Sequence, residues 1–160
     1  WSSAIALPPM VASSNERRGG SLQDGIIVPA FDKLRLEYSY LTTGATETVR
    51  LARDISVSPF YRVQLIIRCH SLAISAAGQK FDFTLTNTLP SEVDPREFSD
   101  AAAFLTVSVT GASPPTPPVI VSGTATDPGA FLKLVVTASQ STTGTTLYGE
   151  FSGVLVLRRP

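Results

Sequence analysis

The stretch from Phe60 to Ser71 constrains this chain more than any other. Tyr61, Val63, Leu65, Ile67 and Cys69 fall at its odd positions, and Arg62, Gln64, Ile66, Arg68 and His70 at its even ones. Successive side chains of a β-strand point to opposite faces, so the pattern predicts one apolar and one mostly polar face. At about 3.3 Å per residue the run would span roughly 33 Å, long enough to be a central strand. It also carries the chain's one cysteine and one histidine side by side. Strand geometry places that pair on opposite faces, so it cannot form a Cys–His dyad, which needs both groups within hydrogen-bond reach. Cys69 reads as a small core residue and His70 as an outer-face residue beside Arg62 and Arg68. Ile66 is an apolar residue among the polar ones of that outer face, as a covered surface requires.

The rest of the chain from Ile26 alternates in the same way. Expected strands are Ile26–Val28, Lys33–Tyr40, Thr46–Val57, Lys80–Thr86, Phe104–Thr110, Val119–Thr124, Phe131–Ser139 and Leu147–Arg158. Turn signals separate them: Thr42–Ala45, Ser58-Pro59, Ala76–Gln79 and Asp127-Pro128-Gly129. Gly149 and Gly153 inside the last strand predict a bulge or a close backbone approach. The one helical candidate is a short turn at Asp94–Phe98, with Asp94 as cap, Pro95 at the first helical position and Glu97 completing a capping box. The fold expected is all-β: an antiparallel two-sheet β-sandwich, jelly-roll-like, of about eight strands.

Residues 1–25 differ in kind. Trp1, Ile5, Leu7, Met10 and Val11 are mixed with Pro8-Pro9 and followed by Ser13–Gly20, which rules out one continuous helix or strand. The division is therefore an arm and hinge over 1–25 and a β-sandwich domain over 26–160. Trp1, Ile5, Leu7 and Met10 are the expected anchors of the arm on a neighbouring subunit, because large apolar side chains dominate interface energetics. The sequence opens on Trp1 rather than Met, so something is expected to have preceded it.

Composition narrows the function. In 160 residues the formal net charge is zero and 16% of residues are charged, a poor match to nucleic-acid binding, which needs clustered positive charge. No apolar run approaches the roughly 20 residues of a membrane helix. One cysteine excludes an internal disulfide. A serine triad would have to use His70, and no G-x-S-x-G elbow accompanies it. Glu92, Asp94, Glu97 and Asp100 form the densest carboxylate group, but their spacing misses the EF-hand pattern and Arg96 sits among them. Ser113–Pro118 contains P-x-x-P spacing but reads as a stiff connection. Tyr148 and Trp1 are the aromatics best placed for a sugar platform. No catalytic, cofactor or metal site is expected.

Two stretches carry a resemblance: Asn87–Phe98 leading into Phe104–Thr110, and the closing Leu147–Leu157. Their layout looks like the small β-sandwich accessory proteins of tailed-phage virions, which decorate capsids or build tail and baseplate parts, over residues 60–158. The resemblance implies a non-enzymatic virion protein, a trimer or other symmetric oligomer held by packing, with arms reaching across subunits. Its expected partners are copies of itself and a major capsid or other shell protein. Arg62, Ile66, Arg68 and His70 are the expected contact residues outside the arm. The alternative is a carbohydrate- or other ligand-binding β-sandwich module.

Overall fold

A computed structural model describes residues 25–39, 44–74, 76–90, 98–140 and 146–160. Eight strands run in chain order: β1 Gly25–Tyr38, β2 Thr46–Ser56, β3 Arg62–Ala73, β4 Lys80–Pro90, β5 Phe98–Thr110, β6 Val119–Thr126, β7 Phe131–Ser139 and β8 Leu147–Arg158. They form two four-stranded antiparallel sheets, β1-β8-β3-β6 and β2-β7-β4-β5. β1 pairs with β8, β2 with β7, β3 with β6 and β4 with β5. This is one long antiparallel ribbon, β1 to β4 against β5 to β8, rolled so that successive pairs alternate between sheets. The β3–β8 and β4–β7 ladders then close each sheet. The order is that of a jelly roll, and the expected β-sandwich is the fold observed.

The two apolar faces meet in one core. Val63, Leu65, Ile67 and Cys69 of β3 and Phe151, Leu155 and Leu157 of β8 face Phe81, Phe83 and Leu85 of β4 and Leu132, Leu134 and Val136 of β7, all fully buried. Phe151 meets Phe81 edge-on at 5.1 Å and Phe83 at 5.0 Å, and Phe31 stacks on Phe83 at 5.8 Å. The two glycines of β8 are explained by these rings. A Cβ at Gly149 would lie 2.4 Å from the Phe151 ring, and one at Gly153 2.4 Å from the Phe31 ring. Close approach, rather than a bulge in β8, is the reason for both.

Three expectations need correction. Ile26–Val28 and Lys33–Tyr40 are not separate strands but one, β1, which carries its irregularities as register shifts between Pro29 and Phe31 and between Phe31 and Leu34. β4 runs on to Pro90, and β5 starts at Phe98 rather than Phe104, because the two continue to pair as Leu89↔Ser99 and Pro90↔Phe98. Phe98 is thus in a strand, not a helical turn, while Asp94–Glu97 lies outside the described residues. No helix occurs among the described residues, so none is long and apolar enough to cross a membrane.

Candidate interaction surface

β3 lies between β8 and β6, so its outward side chains sit mid-sheet. Arg62, Ile66, Arg68 and His70 all project from that outer face, Ile66 and His70 half-buried and the arginines exposed. The register shows what surrounds them. Ile66 is opposite Val154 of β8, which is opposite Pro29 of β1. In the next row Gln64 is opposite Val156, which is opposite Ile27, 68% exposed. Ile66 is therefore not isolated. With Ile27, Pro29, Val154 and Val156 it forms an apolar patch across three strands on a face that an isolated sandwich would turn to water. Arg62 and Arg158 border one end, opposite each other on β3 and β8, and Arg68 borders the other.

Beyond Arg68 lies a polar constellation that periodicity does not show. Phe31 is opposite Gly153 and Leu34 opposite Phe151, so Asp32 and Lys33 together face Ser152. This bulge, with Lys33 at φ 51°, turns both residues onto one hydroxyl. Ser152 Oγ donates to Asp32 Oδ1 at 2.8 Å and accepts from the Lys33 backbone N–H at 2.9 Å. His70 Nε2 lies 2.8 Å from the same oxygen. Serine has one proton and two lone pairs. With the Ser152 hydroxyl proton directed at Asp32, Nε2 must donate to Oγ. A nucleophilic serine needs the reverse: histidine accepting its proton, with the carboxylate behind the ring. The trio has the residue types of a serine hydrolase with serine in the middle position, and it pins the β1 bulge to β8 and β3.

Cys69 points the other way. It is fully buried, and burial raises its thiol from 9.0 to about 11. A raised folded value means the fold prefers the protonated thiol, so this contribution is complete below pH 9 and is lost as pH climbs to 11. The loss is at most about 3 kcal/mol for two units. Thiol reagents at pH 8 should therefore label Cys69 in urea but not in the native protein, and denaturant midpoints should fall between pH 9 and 11. Native labelling as fast as that of the unfolded chain would contradict the burial.

Tyr148 is half-buried on the outer face, with the Arg35 guanidinium 5.3 Å from its ring centre and its hydroxyl accepting from Ser71 Oγ at 3.0 Å. A ring engaged on its face and at its hydroxyl is a poor sugar platform. Trp1, Ile5, Leu7 and Met10 lie outside the described residues, as do Glu92, Asp94 and Glu97. Asp100 falls within β5. Among the described residues no group of three or more His, Cys, Asp or Glu could hold a metal ion.

No family model and no curated protein matches the chain. Solved structures do match. The infectious bursal disease virus VP2 subviral particle superposes at a TM-score of 0.50 with 16% identity, over 84% of this chain and 32% of that one. The T=1 particle derived from the same virus gives 0.52 with 15% identity, over 84% and 31%. The K3 cleaved adhesin domain of Lys-gingipain from Porphyromonas gingivalis gives 0.42 with 12% identity, over 77% and 72%. The chain spans about a third of the length of the viral chains. These viral structures show the β-sandwich fold, and nothing in them bears out the tailed-phage part of the resemblance. It is similar in fold to a protein of a viral shell.

Proposed function

We propose that this chain is a non-enzymatic structural protein of a virion, a capsid-decoration or other accessory protein that works by subunit contacts. The observation that carries this reading is the apolar patch Ile27, Pro29, Ile66, Val154 and Val156 on the outward side of the sheet β1-β8-β3-β6. Hydrophobic burial drives association, and a patch rimmed by arginine has the make-up of an interface core with a polar rim. The partners are copies of this chain in a symmetric oligomer and a major capsid or other shell protein. The fold shared with virus particles and the zero net charge agree with this.

In this reading the arm supplies the second contact, with Trp1, Ile5, Leu7 and Met10 seated on a neighbour. Deleting residues 1–20 is expected to lower the native mass and to abolish attachment to the shell, read by light scattering and by co-sedimentation. Unchanged mass and attachment would remove the arm from the mechanism. The absence of catalysis is tested separately. A fluorophosphonate probe should leave Ser152 unlabelled, because the proton of its hydroxyl is held by Asp32. Stoichiometric labelling would overturn the non-enzymatic reading.

A further inference from the structure

A jelly roll leaves four sheet edges, here β1, β6, β2 and β5. An edge strand shows unpaired N–H and C=O groups that template further pairing, and soluble proteins blunt such edges with charge, proline or bulges. Three of these edges are blunted. β1 carries Pro29, Asp32, Lys33, Arg35 and Glu37 and two register shifts. β2 carries Glu47, Arg50, Arg53 and Asp54, two register shifts, and Asp54 at φ 55°. β5 is shifted twice against β4.

β6 has none of these devices. Its sequence, Val119-Ile-Val-Ser-Gly-Thr-Ala-Thr126, holds no charge and no proline. Its register against β3 is unbroken, from Arg62↔Thr126 to Cys69↔Val119. Among the described residues no strand pairs on its other side. Ile120 stands 54% exposed on its outer face.

We infer that β6 is a strand-pairing site and that its occupant is β6 of a second copy, antiparallel about a two-fold axis normal to the sheet. The occupant follows from the same comparison. Another copy offers four edges, and three would bring a bulge, a proline or a charge against β6. Only β6 matches it along its length, and a strand opposed to itself is what an isologous two-fold contact requires. No like charges meet across the axis. Register is limited because a one-residue slip would turn Ile120, Ser122, Thr124 and Thr126 to the wrong face. Centring the axis on Ser122 sets Ile120 against Thr124 and Val121 against Gly123. Centring it on Gly123 would oppose two glycines, with less to pack, so Ser122 is the axis. Two four-stranded sheets then become one continuous sheet. This contact uses an edge rather than the apolar face and does not depend on it.

The test uses the full chain. The wild-type protein, and the variant Ile66→Lys/Val154→Lys that removes the face contact, should both be even-numbered oligomers of the 17.0 kDa chain by sedimentation equilibrium. Adding Ser122→Lys/Thr124→Lys to the face variant should halve its mass, because the two-fold contact is lost while any arm contact stays, with an unchanged far-UV spectrum, since both edge side chains are exposed. Ser122→Cys should give a disulfide-linked dimer on mild oxidation, because directly opposed residues lie within disulfide reach. Thr126→Cys should not, and Cys69 is buried and silent. A monomeric face variant, a mass unchanged by the edge lysines, or no cross-link at Ser122→Cys would each overturn the inference.

Discussion

Phe151→Ala should lower the unfolding free energy by about 4 kcal/mol, the largest loss of stability expected from a single truncation in this chain. Phe151 is the ring that touches both sheets' contributions to the core. It stands on β8 and meets Phe81 and Phe83 of β4 edge-on at 5.1 and 5.0 Å. Its removal takes away a fully buried side chain, two aromatic pairs and the ring for which Gly149 leaves room. The neighbours cannot collapse into the gap, because Phe81 and Phe83 are held by β5 and β7 on either side of β4. Domains of this size are stable by only about 5–15 kcal/mol, so a large share of the total goes. At about 2–4 °C per kcal/mol the melting temperature should drop by about 8–16 °C. Urea unfolding measures it, with Phe151→Leu as a milder comparison and Thr124→Ala as a surface control. A loss below about 1 kcal/mol would mean that the two sheets do not pack as described.

How much of this was legible in the sequence depended on whether the signal was local. Strands β3 and β4 announce themselves by runs of apolar residues at alternate positions: Val63, Leu65, Ile67 and Cys69 in one, Phe81, Phe83 and Leu85 in the other. The glycines of β8 were visible as anomalies, but which rings they accommodate is a tertiary fact. Pro29 and Asp32-Lys33 break the pattern of β1, so its local periodicity divides in two, and a bulge absorbs such a break without ending the strand. That β5 begins at Phe98 follows from its pairing with β4, which a local pattern does not show. The interaction surface was half legible. Ile66 stood out on its own strand, but Val154 and Val156 become its neighbours only once β8 lies beside β3. The same holds for His70 and Ser152, 82 positions apart in sequence and 2.8 Å apart in space.

Ile66→Lys combined with Val154→Lys should abolish assembly through the outer face while leaving the subunit folded. The two positions are directly opposed on β3 and β8, at the centre of the apolar patch. Both side chains point outward, so a lysine stem can lie along the sheet and carry its ammonium into water. In a contact, two ammonium groups would be buried against an apolar partner without counter-charge, which costs several kcal/mol. Lysine tests this better than glutamate would, because Arg62, Arg68 and Arg158 border the patch and a carboxylate could recruit one of them. Binding to the shell should weaken at least about 100-fold, the roughly 3 kcal/mol expected from losing a central hot spot. Thr126→Lys, on the same face but at the exposed end of β6 and away from the patch, should leave shell binding nearly unchanged. Equal losses from both substitutions would point to net charge rather than to the patch, and no loss from either would remove this face from the mechanism.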